Sequence, residues 1–341
     1  MNIPSAAPFP RFKGNGQIEP EEKPVPVPGP GQLLVQCMAN ALCASDMWAY
    51  HHGASITPGH EMSGVVAAAG DNSSIPIGTR GVVFLMDFCG ECRSCRVGAT
   101  NQCLNKRADY GFSHDGGYGP YALVNENVFF PIDDTIDFGD ATLLLDIMGT
   151  GGHAFHRATL VCPAPDAILV TGAGPIGLGI LAMAKILLGD DVPILITDVV
   201  PYRLALADQL GGLPINVEHQ SLADGLEHYD IESVDIALDS TGLAQPRRNA
   251  FDALAKRGTL VCVGHGGDIL LSVSHDLIGP ERAVLGSEYF RYADLQTNLE
   301  LFRVNQQYLR QIITHRFPVP DISSAFETFI ARNTGKVLVV Q

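Results

Sequence analysis

Ala167-Ile-Leu-Val-Thr-Gly172-Ala-Gly174-Pro175-Ile176-Gly177 runs an apolar strand into a G-x-G-x-x-G turn, and Leu178 to Leu188 continues it as an apolar helix. Glycines at these spacings permit a tight turn and let backbone approach a pyrophosphate closely, while the N–H groups opening the helix face its oxygens. A G-x-G-x-x-G alone is a common string. Here it follows a strand, opens a helix, and is followed by an acid about 20 residues past the last glycine, as a dinucleotide site requires. That acid is Asp198, which closes the strand Ile194-Leu-Ile-Thr-Asp198. A carboxylate there accepts from ribose hydroxyls and repels a 2′-phosphate, which favours NAD over NADP; Arg203 nearby works against that preference. Asp198 also reads as a solvated strand end. The run Ala167–Leu188 resembles a membrane span in hydropathy, but Gly172, Gly174, Gly177, Gly179, Pro175 and Lys185 suit a strand, turn and helix better.

Downstream, apolar strands alternate with helical stretches. Strands are predicted at 194–197, 215–217, 233–238, 259–263 and 283–285, with helices at 177–188 and 201–210 among the connections. With the strand at 167–171 they make six, the pattern of a doubly wound parallel sheet. Upstream, the texture is rich in Gly and Pro. Lys23–Gly31 (KPVPVPGPG) reads as punctuation, and short strands are predicted at 33–38, 64–68, 81–85 and 121–124. This suits a partly antiparallel β domain with long loops. The change comes near Gly149. After about Tyr289 a helix is predicted over 293–304, then strand, helix and strand. The last strand, 337–340, has no hairpin partner nearby and is expected to return to the first domain. The expected division is 1–147 with 290–341, and 148–289.

The composition excludes several classes. The 341 residues carry a formal charge of −15, from 22 Lys+Arg against 37 Asp+Glu. Nucleic acid and anionic membranes call for a basic face, so neither is expected as a partner. With 46% hydrophobic and 17% charged residues the chain has material for a sizeable core and is not of disordered type. Eight cysteines are too sparse for a disulfide scaffold. Met1–Phe12 lacks a basic segment followed by an apolar run. Reduced thiols in the cytoplasm are therefore expected, and clustered reduced thiols suggest metal.

Cys89, Cys92, Cys95 and Cys103 form such a cluster, C-x2-C-x2-C-x7-C. Four thiolates close a tetrahedral Zn²⁺ site with no open position, which orders a loop and performs no chemistry. An iron–sulfur cluster also uses short Cys spacings, and four unconnected loop thiols are the bland alternative. A second, open site is assembled from scattered residues. Cys43 lies just after a strand, and His60-Glu61 follows Pro58-Gly59. A catalytic zinc takes about three protein ligands and keeps one position free, so a third donor is needed. Asp146 ends the apolar run Leu143-Leu144-Leu145, where a carboxylate is costly unless paired or metal-bound. Each residue also has a plain reading: a satisfied histidine, a core cysteine, a helix-capping aspartate.

Together these features resemble the zinc-dependent alcohol dehydrogenases of the medium-chain dehydrogenase/reductase superfamily. Cys43-x-Ser45-Asp46, Gly59-His60-Glu61, the four-cysteine loop, Gly172–Gly177, Asp198 and the closing Gly335-Lys336-Val337 occur in the family's order. The resemblance implies an α/β chain: a GroES-like, mainly β catalytic domain plus a doubly wound Rossmann NAD-binding domain. It implies one catalytic zinc on Cys43, His60 and Asp146, one structural zinc, and NAD. Glu61 would be a neighbouring or alternate ligand, and Ser45 would lie on the substrate oxygen and start a proton relay. Thr150 would contact the nicotinamide, and Val263 and Gly264 would approach its ring. Two departures stand out. Trp48 occupies the position where many members carry the relay's terminal histidine, which leaves His51, His52 or water to finish it. The segment between Cys43 and His60 is also short.

The expected function is reversible oxidation of a small alcohol, best a secondary alcohol or polyol, to a ketone or aldehyde with NAD⁺. The rival readings are a zinc-independent enoyl or quinone reductase on the same fold and a non-catalytic NAD- or zinc-binding regulator. The family implies a homodimer or homotetramer, with Ala283–Leu285 as a possible interface strand.

Overall fold

The structure is a computed structural model and describes residues 3–341. The chain opens with a hairpin, β1 (Ala6–Gly14) and β2 (Gln17–Pro24), in antiparallel register. Asn15 and Gly16 turn it, both at positive φ (53° and 79°), the backbone that a two-residue hairpin loop demands. The sequence reading placed no strand here. β2 is exposed along nearly its whole length, so its side chains carry no apolar alternation, and the Asn-Gly pair was the available signal.

Next come β3 (Gln32–Ala41), the short α1 (Met47–His52), β4 (Met62–Ala69), β5 (Arg80–Val83) and β6 (Met86–Asp87). The one-turn α2 (Arg93–Arg96), β7 (Ala108–Asp109), β8 (Tyr121–Asn125), β9 (Phe129–Pro131) and α3 (Phe138–Ala141) follow. α4 (Gly151–Thr159) leads into the second half. There β10 (Ile168–Thr171), α5 (Pro175–Leu188), β11 (Ile194–Asp198), α6 (Pro201–Gln209), β12 (Leu213–Asn216), α7 (Leu222–His228), β13 (Val234–Asp239), α8 (Ala244–Asp252), β14 (Leu254–Cys262) and β15 (Ala283–Gly286) alternate strand and helix. The chain finishes with α9 (Asp294–Arg310), β16 (Ile313–Pro318), α10 (Ile322–Ile330) and β17 (Lys336–Val340).

The second half is a six-stranded sheet of order β12-β11-β10-β13-β14-β15, every neighbour parallel. Both faces are covered, which is why its strands read as unbroken apolar runs. Ile168 and Val170 face the core under α4 and α5, while Leu169 faces the opposite core with Leu226 and Phe251 of α7 and α8. The order reverses beside β10, and the G-x-G-x-x-G turn stands at that β10 carboxyl end, where such sheets bind ligands. β15 is one of the two edge strands, with β12 at the other end, and is only half-buried.

The first half is a seven-stranded sheet of order β16-β17-β3-β4-β5-β9, with β8 also on β3. β17 pairs antiparallel with β3 and parallel with β16, so the strands made after the parallel sheet lie within the first sheet. One apolar core runs through both halves, from Leu33, Val35 and Met62 to Ile180 and Val170. Among the described residues no helix is long and apolar enough to cross a membrane.

Candidate active site and cofactor cleft

Four side chains from three separate segments converge between the two sheets. Cys43 follows β3, held by the Leu42 N–H donating to the Val337 carbonyl of β17 (2.9 Å). His60 and Glu61 immediately precede β4. Gly59 before them sits at φ 103°, and a Cβ there would meet the Tyr118 backbone at 2.8 Å, so only glycine delivers the histidine at this spot. Asp146 leaves a buried Leu-Leu-Leu run through a wide turn, in which the Gly149 and Thr150 N–H groups both donate to the Leu145 carbonyl (2.5 and 3.3 Å). Such widened turns recur at functional sites. The donor atoms of Cys43, His60, Glu61 and Asp146 all lie within 4.8 Å of one another.

The ring of His60 is aimed by its neighbours. Its Nε2 faces Asp146 Oδ2 (3.7 Å), and its Nδ1 faces Asp46 Oδ1 (3.4 Å). Asp46 is fixed in turn by the Tyr118 hydroxyl, which donates to Oδ2 at 2.7 Å, and by the Cys43 N–H at 3.1 Å. A carboxylate behind a ligating imidazole fixes its tautomer and orientation. Glu61 forms an ion pair with Lys336, both fully buried, and its Oε2 has no hydrogen-bond partner. The Thr150 hydroxyl donates to Asp146 Oδ1 at 3.1 Å.

The electrostatics call for a cation. Three carboxyl groups and a thiol share this pocket with one ammonium, Lys336. Burial pushes the Glu61 carboxyl well above the usual range, Asp146 adds to this, and Lys336 opposes it. Burial likewise pushes Asp146 up, but the hydrogen bond from His60 and the field of Lys336 outweigh it and hold Asp146 low. His60 is raised, since Asp46 and Asp146 outweigh the burial that disfavours its charged form. Buried acids in such number persist when paired or bound to metal. The thiol, imidazole and carboxylate donors are those zinc takes.

The cysteine loop is a second cluster. The Sγ atoms of Cys92 and Cys95 are 3.5 Å apart, those of Cys92 and Cys103 3.9 Å, and those of Cys89 and Cys95 4.0 Å. A tetrahedron with Zn–S bonds of about 2.3 Å has edges of about 3.8 Å, so the four sulfurs stand at the corners such an ion needs. Backbone N–H groups of Cys92, Leu104 and Cys89 donate to the sulfurs of Cys89, Cys92 and Cys103 at 3.2 to 3.4 Å. N–H donation from the backbone pulls the Cys92 thiol down to about 6.

The cofactor motif lines a cleft of about 540 Å³ that also reaches Cys43. Gly172, Gly174, Pro175, Ile176, Asp198 and Arg203 line it, with His51 and Met47 of α1 on the facing wall. Gly177 lies behind the turn, where a Cβ would strike the Gly172 carbonyl; its place is helix-to-strand packing. Asp198 is already engaged: Oδ2 accepts from the Ala173 N–H (2.8 Å), and Oδ1 from the Val199 and Val200 N–H groups (2.8 and 3.0 Å). Ser45 is exposed beside Cys43. Val263 and Gly264 line a separate cavity of about 620 Å³ with His153, Arg157 and Ser287.

Several participants escaped the sequence reading. Asp46 and Lys336 lie within Cys43-x-Ser45-Asp46 and Gly335-Lys336-Val337, strings that carry no sign of the partners His60 and Glu61. Phe112, whose ring lies 4.8 Å from that of His60, and Tyr118 sit in an irregular loop without periodicity. No local signal marks them.

Comparison with known proteins agrees with this geometry. Residues 29–134 match the family "Alcohol dehydrogenase GroES-like domain", and residues 175–303 match "Zinc-binding dehydrogenase". The chain belongs to the zinc-dependent alcohol dehydrogenase family of the medium-chain dehydrogenases/reductases. It is 29% identical to the uncharacterized zinc-type alcohol dehydrogenase-like protein YphC of Escherichia coli K12, over 96% of each chain. It is also 29% identical to an L-threonine 3-dehydrogenase of Stenotrophomonas maltophilia, over 94% of this chain and 95% of that one. A zinc-binding dehydrogenase of Sinorhizobium meliloti 1021, solved with NADP, shares the fold with a TM-score of 0.87 at 24% identity, covering 99% of this chain and all of that one. As a family member the chain is a zinc-dependent oxidoreductase acting on CH–OH groups of small molecules with a nicotinamide dinucleotide.

Proposed function

We propose that this alcohol dehydrogenase binds its catalytic zinc through Cys43, His60 and Asp146 and oxidises a secondary alcohol or polyol with NAD⁺. The observation that carries the reading is the convergence of these donors within 4.8 Å, at the end of a cleft shared with the glycine turn. Bound there, zinc would supply a Lewis acid for the substrate oxygen, and NAD⁺ would accept the hydride from the carbinol carbon.

The chain's own groups do the rest. Asp46 holds the His60 ring in orientation, and Thr150 does the same for Asp146, so the donor set is rigid before substrate arrives. Ser45, exposed beside Cys43, accepts the proton leaving the substrate hydroxyl and passes it to water. His51 of α1, which lines the cleft with Cys43, Ala44 and Met47, takes the relay onward. Trp48, where many relatives carry histidine, is 65% exposed and stacks on His52; its indole nitrogen is a donor only and cannot accept a proton in a relay. Thr150 stands against Asp146, and a nicotinamide contact for it, as for Val263 and Gly264, rests on the family resemblance, since those two residues line a cavity separate from this cleft. Asp198 at the end of β11 supports NAD over NADP through its charge. The four-cysteine loop holds a structural zinc.

The secondary-alcohol reading draws on the threonine dehydrogenase relative, whose named substrate bears a secondary hydroxyl at carbon 3. The half-buried edge strand β15 supports assembly as a homodimer or homotetramer, and the reduced cysteines support a cytoplasmic setting.

The test is a metal count beside a panel of primary alcohols, secondary alcohols and polyols. Two zinc ions per chain are expected, with turnover best on secondary hydroxyls. Cys43→Ala should lose one zinc and activity while remaining folded. Cys95→Ser should lose the other zinc and lower the melting temperature. Full turnover by Cys43→Ala protein free of that zinc overturns the assignment.

A further inference from the structure

The cofactor cleft is lined from both halves of the molecule by two arginines that, among the described residues, form no salt bridge. Arg203 of α6 projects over the glycine turn, with a guanidinium nitrogen 3.7 Å from where a Cβ on Gly174 would stand. Its Nε donates one long bond, 3.4 Å, to the Thr334 carbonyl. Arg332 lies across the seam, in the turn between α10 and β17, and lines the same cavity. It is exposed, and its backbone is held at φ 64°. Among the described residues its guanidinium has no ion-pair or hydrogen-bond partner. Asp198, the acid of the cleft, accepts from the N–H groups of Ala173, Val199 and Val200 and forms no ion pair with either arginine, acting on Arg203 only through its field. Lys336, the next cation along the chain, is buried against Glu61 and unavailable to the cleft. The two arginines also repel each other: Arg332 adds to the burial that weakens the charged form of Arg203, against the pull of Asp198.

We propose that Arg332 is a cofactor-contacting residue that, with Arg203, clamps a phosphate of the bound dinucleotide across the seam between the two halves. The inference rests on the reading of this cleft as the dinucleotide site. An anion between the two guanidinium groups turns their repulsion into two charge-assisted contacts. Since one arginine belongs to α6 and the other to the segment entering β17, the same anion draws the halves together. The phosphate is either the diphosphate, common to NAD and NADP, or the 2′-phosphate of NADP alone. The position of Arg203 over Gly174 favours the diphosphate.

The experiment is fluorescence titration of NADH and NADPH into the wild-type protein, Arg332→Gln and Arg332→Lys, at low and high salt, with steady-state kinetics alongside. Arg332→Gln should weaken binding on the order of tenfold, the scale of a lost charged hydrogen bond. It should raise the KM for cofactor, leave kcat at saturation nearly unchanged, and flatten the salt dependence. Arg332→Lys should recover part of the affinity. Equal losses for NADH and NADPH assign the diphosphate, and a loss for NADPH alone assigns the 2′-phosphate. If Arg332→Gln binds both as tightly as wild type, the clamp is wrong while the cleft reading stands. If the wild-type protein binds neither dinucleotide, the cleft reading falls and takes the clamp with it.

Discussion

At the scale of single residues, the buried ion pair between Glu61 and Lys336 is the feature with most at stake. Neither side chain is exposed, and Glu61 lies within 4.8 Å of the proposed zinc ligands Cys43, His60 and Asp146. Removing one partner of such a pair leaves an uncompensated buried charge, at a cost of about 3–5 kcal/mol. Lys336→Met should therefore unfold at markedly lower denaturant concentration than wild type, and Lys336→Met with Glu61→Gln should recover much of the loss. Equal stability of Lys336→Met and wild type would show that the pair is replaceable. The ligand-type residues were legible only in combination: Cys43, His60 and Asp146 each had a plain structural reading, and the cysteine loop and glycine turn beside them in the sequence pointed to metal and nucleotide. Their supports were not. Tyr118 reaches Asp46 across 72 positions of sequence and Lys336 reaches Glu61 across 275, and nothing local records those distances.

At the scale of elements, the G-x-G-x-x-G turn was readable because strand, turn and helix are contiguous. Gly177 shows how little room the turn leaves. Gly177→Ala drives a methyl group into the Gly172 carbonyl, which must move, as must the turn that lines the cleft. Overpacking of this kind costs about 1–3 kcal/mol. The expected result is a lower melting temperature together with weaker NADH binding, read by thermal denaturation and titration on one preparation. Unchanged NADH affinity would separate the turn from the cofactor. The strands of the parallel sheet were legible through their apolar runs, with ends misplaced by a few residues: 259–263 was expected where β14 spans Leu254–Cys262. The opening hairpin was not, because Glu19, Glu21, Glu22 and Lys23 of β2 face water or its fringe and leave no apolar pattern.

At the scale of the whole molecule, contacts between helices far apart in sequence bind the halves. Asp294, opening α9, accepts from Arg291 at 2.7 Å and faces His153 of α4 at 3.7 Å. Burial pushes its carboxyl up, but His153 and Arg291 outweigh this and hold it low. A carboxyl lowered by folding stabilises the protein above its unfolded pKa, about 3.9, and loses that contribution as pH falls through the folded value. Asp294→Asn should thus be less stable than wild type at pH 7, by about 1.5–3 kcal/mol, the scale of a hydrogen bond to a charged group. The gap should begin to close as pH drops below about 4. A gap that stays constant from pH 7 to pH 3 would show that packing, not charge, sets it.

The place of β17 governs the order in which the molecule is built. β10 to β15 form their sheet from one continuous stretch and can close it as soon as that stretch leaves the ribosome. β3 waits for a neighbour that is translated only after the entire parallel sheet. The nascent chain therefore holds a finished nucleotide-binding half while the half bearing Cys43 and His60 still has an open strand edge, the state most exposed to aggregation. Lys336 arrives on that same late strand, so Glu61 gains its counter-charge in the step that seals the sheet.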